Sequence, residues 1–161
     1  TERCQMNISI GSDHAGYRWK EKVKAILQGL GHRVTDYGAS STESVDYPDY
    51  GARVAADVSA GRADFGVAVC WTGNGMNMTV NRAPGVRGAL VLSPEMARLA
   101  RAHNDANVLT LSEKFTPEAE LAEIVRVWLE TPFEGGRHQR RVDKMTALER
   151  DSAADTSKLS T

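Results

Sequence analysis

Val67-Ala68-Val69-Cys70-Trp71-Thr72-Gly73-Asn74-Gly75-Met76 decides how this chain is read. A Val-rich apolar run ends in a thiol, a glycine-punctuated turn follows, and residues 77–82 take on helical character. The order is strand, tight loop, helix N-terminus. Such a loop leaves backbone N–H groups unpaired and turned outward, where they hold an anion or a developing oxyanion. A cysteine at the strand end beside them is placed to have a lowered pKa. The plainer alternative is a buried Cys closing a core strand before an ordinary strand-to-helix turn.

Working outward, the same alternation repeats. Residues 7–12 alternate and break at Gly11, as a first strand does, with Asp13-His14-Ala15-Gly16 at its carboxyl end. Trp19, Val23, Ile26, Leu27 and Leu30 have helical spacing, and Gly31 ends that helix. Residues 32–37 read as a second strand. Asp46-Tyr47-Pro48 opens a helix that stops near Gly61. The third strand, 64–70, leads into the cradle loop. Residues 86–92 are a fourth strand, and Ser93-Pro94-Glu95 starts a helix ending at His103-Asn104-Asp105. Residues 107–111 are a fifth strand, and Thr116-Pro117-Glu118 caps the next helix. After Pro132 to Gly136, residues 137–149 are helical again. Strands alternating with helices through short loops predict an α/β fold: a doubly wound, Rossmann-like, five-stranded parallel sheet with helices on both faces. Ligands bind such sheets at the carboxyl ends of the strands, where Asp13, His14 and residues 70–75 fall.

The chain has 161 residues, enough for one domain with a full core, which we place at residues 7–150. Residues 1–6 read as a flexible leader without the apolar core of a signal peptide, and residues 151–161 as a disordered tail. A formal net charge of −1 argues against nucleic acid or a membrane as partner. No apolar run approaches the roughly 20 residues of a membrane span. Cys4 and Cys70 are too few and too badly placed for a disulfide framework, which favours a reducing cytoplasm. Gly73-Asn74-Gly75 is too short for a dinucleotide fingerprint, no acidic residue stands at a suitable strand end about 20 residues on, and there is no Walker lysine.

Several polar residues admit two readings. Asp13-His14 caps the first helix or faces a ligand. His103-Asn104-Asp105 is a helix C-cap, with Asn in a left-handed turn, or a functional site. Arg137 and Arg141 share one helix face; they are solvated, paired with Glu134 or Asp143, or they bracket an anion such as phosphate. His14, Cys70 and His103 are single and far apart in sequence, so no local motif supports a metal. A Cys–His nucleophile pair of the thiol-hydrolase kind uses the same residues.

Gly11-Ser12-Asp13-His14-Ala15-Gly16, Asp46-Tyr47-Pro48, Cys70-Trp71-Thr72-Gly73-Asn74-Gly75, Arg101-Ala102-His103-Asn104 and Gly135-Gly136-Arg137-His138-Gln139-Arg140-Arg141 occur in that order. Together they resemble the ribose-5-phosphate isomerase B family, which includes the galactose-6-phosphate isomerase subunits. The resemblance spans residues 7–149. It implies a metal- and cofactor-free aldose–ketose isomerase that opens a sugar ring and moves a proton between C1 and C2 through an enediolate. It gives Cys70 the role of base. Some members carry a Glu six positions later; Met76 stands there, so this chain is of the Cys type. It gives His103 the role of ring-opening acid, places Thr72 near the ring oxygen, and puts Asp13 and Tyr47 around the sugar hydroxyls. It assigns phosphate binding to His14, Arg137 and Arg141, and to Lys114, where members commonly have Arg. It implies a homodimer or dimer of dimers with shared sites, so that His103 and Asn104 serve the Cys70 of a second copy. The chain departs from its family at Trp71, usually Gly. A large ring at the mouth of the site opens the alternatives of a four- or six-carbon sugar phosphate, or of a non-catalytic sugar-phosphate binding protein on the same fold.

Overall fold

The structure is a computed structural model and describes residues 4–158. Five strands form one parallel sheet in the order β2-β1-β3-β5-β4. They are β1 (Asn7–Ser12), β2 (Arg33–Asp36), β3 (Phe65–Cys70), β4 (Gly88–Leu90) and β5 (Val108–Ser112). The helices are α1 (Tyr17–Gly29), α2 (Tyr47–Ser59), α3 (Asn74–Val80), α4 (Pro94–Asn104), α5 (Leu121–Glu130) and α6 (Arg137–Lys158). The sequence-predicted fold class is the observed one. β2 and β4 are shorter than their apolar runs suggest, because both are edge strands with a neighbour on one side only.

β3 sits mid-sheet and is buried on both faces, which explains its unbroken apolar run. Its side chains nonetheless alternate. Val67 and Val69 face a large core built with α1, α4 and α5, where Trp128, Leu121, Ile124 and Leu27 are almost fully buried. Ala68 and Cys70 face a smaller core built with α2 and α3, among Val54, Met76 and Val80. Two-residue periodicity therefore assigns the thiol to the α2/α3 face.

The ends differ from expectation. Gln5 and Met6 of the expected leader are tied down: Met6 donates its N–H to His32 Nδ1 and accepts from Arg33 N–H, and Gln5 Nε2 bonds the Gly31 carbonyl. Residues 1–3 and 159–161 lie outside the described residues. The tail expected from residue 151 is instead the last turns of α6, which runs on to Lys158. Residues 151–158 hold two adjacent alanines among Asp, Ser, Thr and Lys, so neither an apolar stripe nor strong helix formers announce them. Among the described residues no helix is long and apolar enough to cross a membrane.

Candidate active site

Cys70 ends β3 at the carboxyl edge of the sheet and is 4% exposed. Gly73 follows at φ +84°, a left-handed turn that an L side chain resists, and a Cβ there would lie 2.4 Å from Leu90 Cδ1. That turn starts α3. It brings the N–H groups of Met76, Gly73 and Gly75 onto the Cys70 sulfur. Gly75 is needed for a second reason: a Cβ would lie 2.5 Å from the Tyr47 ring, which covers the loop from the start of α2. Thr72 Oγ1 accepts the Asn74 N–H at 3.4 Å and closes the turn from the solvent side.

The thiol differs from the sequence expectation in its acidity. Burial pushes the Cys70 pKa above its ordinary value and the nearby Asp13 charge adds to this; the cradle N–H groups oppose both without reversing them. The cradle is as expected, but low-dielectric surroundings outweigh it while no ligand is bound.

Asp13 follows β1, the neighbour of β3 at the point where the strand order reverses. The capping reading of it holds, and the carboxyl is buried as well. Its Oδ1 accepts the Gly16 N–H at 2.9 Å as a cap, and it is a buried carboxyl whose pKa burial raises, with the Gly16 N–H and the His14 charge pulling the other way. His14 Nδ1 accepts the Val45 N–H at 3.1 Å, so a neutral ring carries its proton on Nε2, a donor suited to an anion. On the other flank, after β5, stands Glu113. Its side chain is 7% exposed, 3.5 Å from Arg18, and its N–H bonds the Cys70 carbonyl at 3.1 Å. Burial raises its pKa too. Sequence reasoning passed over Glu113; a charged residue directly after a strand end was the available signal. Lys114 and Trp71 lie at the rim, the ammonium 6.0 Å from the indole centroid.

The remaining candidates are elsewhere. α4 runs back from the carboxyl edge, and Arg87, just before β4, donates to the Asp105 carbonyl at 2.9 Å. His103 and Asn104 therefore lie at the amino edge, the length of a strand away from Cys70 at the carboxyl edge. Asp105, not Asn104, takes the left-handed C-cap at φ 47° and pairs with Arg101. His103 stacks on His138 with ring centroids 4.3 Å apart and planes 10° from parallel. His138 is buried, and burial and then the His103 and Arg137 charges lower its pKa. Its place under His103 had no signal beyond membership of a basic cluster. Arg137 and Arg141 are exposed on the first turns of α6, without a carboxylate partner among the described residues. Asp143 pairs with Gln139 instead. His103, Glu134 and His138 bring one ligand atom each within 4.8 Å of one another. Near-parallel rings do not aim their lone pairs at one point, so this trio fits a metal poorly.

A thiol in a cradle of N–H donors at a parallel sheet's switch point, with an imidazole and two guanidiniums unpaired among the described residues at the opposite edge, is an arrangement suited to proton transfer on an anionic small molecule. The comparisons narrow the class. A family described as Ribose/Galactose Isomerase matches residues 8–145. Ribose-5-phosphate isomerase B of Escherichia coli is 41% identical over 143 residues, 88% of this chain and 95% of that one. A Clostridium thermocellum ribose-5-phosphate isomerase B structure superposes with a TM-score of 0.89 at 43% identity, covering 91% of this chain and 99% of that one. A Mycoplasma genitalium ribose-5-phosphate isomerase B structure with bound ribulose-5-phosphate superposes with a TM-score of 0.87 at 41% identity, covering 92% and 99%. The chain belongs to the ribose/galactose isomerase family and is a sugar-phosphate isomerase.

Proposed function

We propose that this chain interconverts ribose 5-phosphate and ribulose 5-phosphate in the cytoplasm, as a homodimer whose two sites each take residues from both copies. The carrying observation is the N–H cradle around Cys70 in a chain 41% identical to a relative with ribulose-5-phosphate bound. His103 of the second copy gives a proton to the ring oxygen while the anomeric hydroxyl loses one, which opens the ring. Cys70, as thiolate, then takes the C2 proton. The electron pair moves onto the C1 carbonyl oxygen to form an enediolate, and the cradle N–H groups of Gly73, Asn74 and Gly75 stabilise that charge. The O2 proton passes to O1, and the thiol returns its proton to C1, leaving a ketone at C2. The atoms balance and no cofactor is consumed.

The raised pKa makes the resting group a thiol, so it must lose a proton first. Asp13 serves this step: moving the proton from sulfur to that carboxylate leaves the site's charge unchanged and removes the charge that opposes the thiolate. Thr72 and Tyr47 border the sugar. His14, Lys114 and the Arg137 and Arg141 of the second copy hold the phosphate, remote binding that keeps C1 and C2 in register with the sulfur.

The separation of His103 from Cys70 within one copy supports the shared site. A groove of 720 Å³ between residues 81–89 and α6, lined by Asn104, Met145 and Leu148, leaves apolar side chains exposed beside Asn104, as a contact between copies would. Isomerisation assays with ribose 5-phosphate in D2O test the proposal. Ribulose 5-phosphate is the expected product, with deuterium at C1 to the extent that the Cys70 thiol exchanges with solvent before it returns the proton; failure to form ribulose 5-phosphate would overturn the proposal.

A further inference from the structure

Trp71 and Phe115, which the reaction steps above leave without a purpose, form a unit at the rim with Lys114. The Trp71 carbonyl accepts two donors, Ser112 Oγ from the end of β5 at 2.7 Å and the Lys114 N–H from the turn after it at 3.0 Å. With the Glu113 N–H on the Cys70 carbonyl, these bonds carry the β3–β5 pairing past the end of the sheet. They lock the backbone of Lys114 to the residue directly after the thiol. From that anchor the lysine folds back. Its ammonium lies 6.0 Å from the Trp71 ring centroid and 5.3 Å from that of Phe115. No carboxylate pairs with it among the described residues. The two rings are 51% and 53% exposed and belong to neither apolar core, so packing does not account for them. An ammonium on a four-carbon stem samples many rotamers; two ring faces restrict it and leave its outer N–H donors free.

We propose that Trp71 is a positioning and specificity-determining residue: with Phe115 it holds the Lys114 ammonium at one distance from the Cys70 sulfur, and that distance selects sugar phosphates by chain length. The inference rests on the sugar-phosphate reading above. The reacting carbons must reach the sulfur while the phosphate reaches a cation. A lysine folded onto the ring next to the thiol sets its charge closer than an extended one. The pinned site therefore favours a five-carbon over a six-carbon aldose phosphate, and freeing the lysine relaxes the limit.

The test compares kcat/KM for five- and six-carbon aldose phosphates, the inhibition constant of inorganic phosphate, and sedimentation. The proteins are the wild type, Trp71→Ala, Trp71→Phe, Lys114→Gln, and the Trp71→Ala, Lys114→Gln double variant. Trp71→Ala is expected to raise the six-to-five ratio about tenfold and to weaken phosphate about threefold. Trp71→Phe, which keeps a ring, should restore most of both. In the Lys114→Gln background Trp71→Ala should add little. An unmoved ratio, an equal loss for both substrates, or a full Trp71→Ala effect without Lys114 would overturn the inference. So would a fixed ranking accompanied by dissociation, which makes the ring an interface residue. A wild type that isomerises no sugar phosphate would overturn the proposed function and this inference with it; an active wild type with an unmoved ratio overturns this inference alone.

Discussion

The two edges of the sheet are built on different principles. At the carboxyl edge the decisive groups are buried and held by backbone: Cys70 by the turn at Gly73, Asp13 by its own cap, Glu113 by its N–H on the Cys70 carbonyl. At the amino edge they are side chains on helix ends, partly or fully exposed, and the guanidiniums of Arg137 and Arg141 have no carboxylate partner among the described residues. The first edge is a finished half. The second has charge without a counter-charge, which suits a surface that meets an anion and another protein at once. Preorganised donors cost nothing at the moment of reaction, so the chemistry sits on backbone. Long cationic side chains adapt and suit the remote grip.

The sharpest way to break this comparison is to disable one edge at a time. Cys70→Ala should lower kcat by about 10²–10⁴-fold, the range for a lost proton-transfer group, and leave substrate binding nearly intact. His103→Ala should also inactivate. If the edges of two copies complete each other, mixing the inactive variants after dissociation restores activity. Random reassembly makes half the dimers mixed, and each mixed dimer has one intact site of two, so about one quarter of wild-type activity returns. A mixture that stays inactive after proven subunit exchange would place both residues in one copy's site, against the geometry here.

Next in size is the grip at the amino edge. Arg137→Ala or Arg141→Ala should weaken phosphorylated sugars by about 1.5–3 kcal/mol, the range for a hydrogen bond to a charged group. The unphosphorylated sugar should hardly respond. Isothermal titration with both sugars separates the cases, and equal losses would make the pair structural.

The same contrast explains what the sequence reveals. The carboxyl edge is written locally: residues 67–76 are contiguous, and their strand, turn and helix follow from Val, Gly and spacing alone. Asp13 is legible because β1 precedes it and Gly16 ends its cap. The amino edge is written in tertiary contacts. Nothing local says that His138 stacks on His103, 35 residues before it, or that α4 carries His103 away from Cys70. α6 continues past residue 149 through Asp, Ser and Thr, an extension that neither an apolar stripe nor helix propensity announces. The acidity of Cys70 was misjudged because the donors are visible in the loop, whereas the desolvation that outweighs them needs the packing of Met76 and Val54.

That acidity gives a smaller effect at the carboxyl edge. With its pKa raised, Cys70 should react with iodoacetamide slowly at pH 7, and the rate should climb through the alkaline range without a plateau near neutrality. Asp13→Asn keeps an oxygen for the Gly16 N–H and removes the charge that opposes the thiolate. The pH–rate profile should move to lower pH, with a severalfold faster rate at a fixed pH below the thiol's pKa. A profile that does not move would mean that burial alone sets the thiol.

The smallest effect concerns Glu113, the carboxylate on the other flank. Burial raises its pKa above the ordinary value, so the native state holds this proton to higher pH than the unfolded chain does. The unfolded carboxyl therefore ionises first. Stability falls as pH rises from the unfolded pKa to the raised native one, and above that the loss is constant. Above the raised native pKa the fold carries a desolvated charge that, among the described residues, Arg18 offsets from 3.5 Å with a side chain 74% exposed. Such an exposed partner contributes little. Glu113→Gln keeps the shape and the backbone bond to the Cys70 carbonyl but removes the charge. Its melting temperature at pH 7 should rise, by no more than the ~2–4 °C that 1 kcal/mol is worth in a chain of this size. At a pH below both pKa values the two proteins should melt together. A lower melting temperature for Glu113→Gln at pH 7 would show that the Arg18 pair outweighs the desolvation, and the carboxyl edge would then hold one charge it needs for stability.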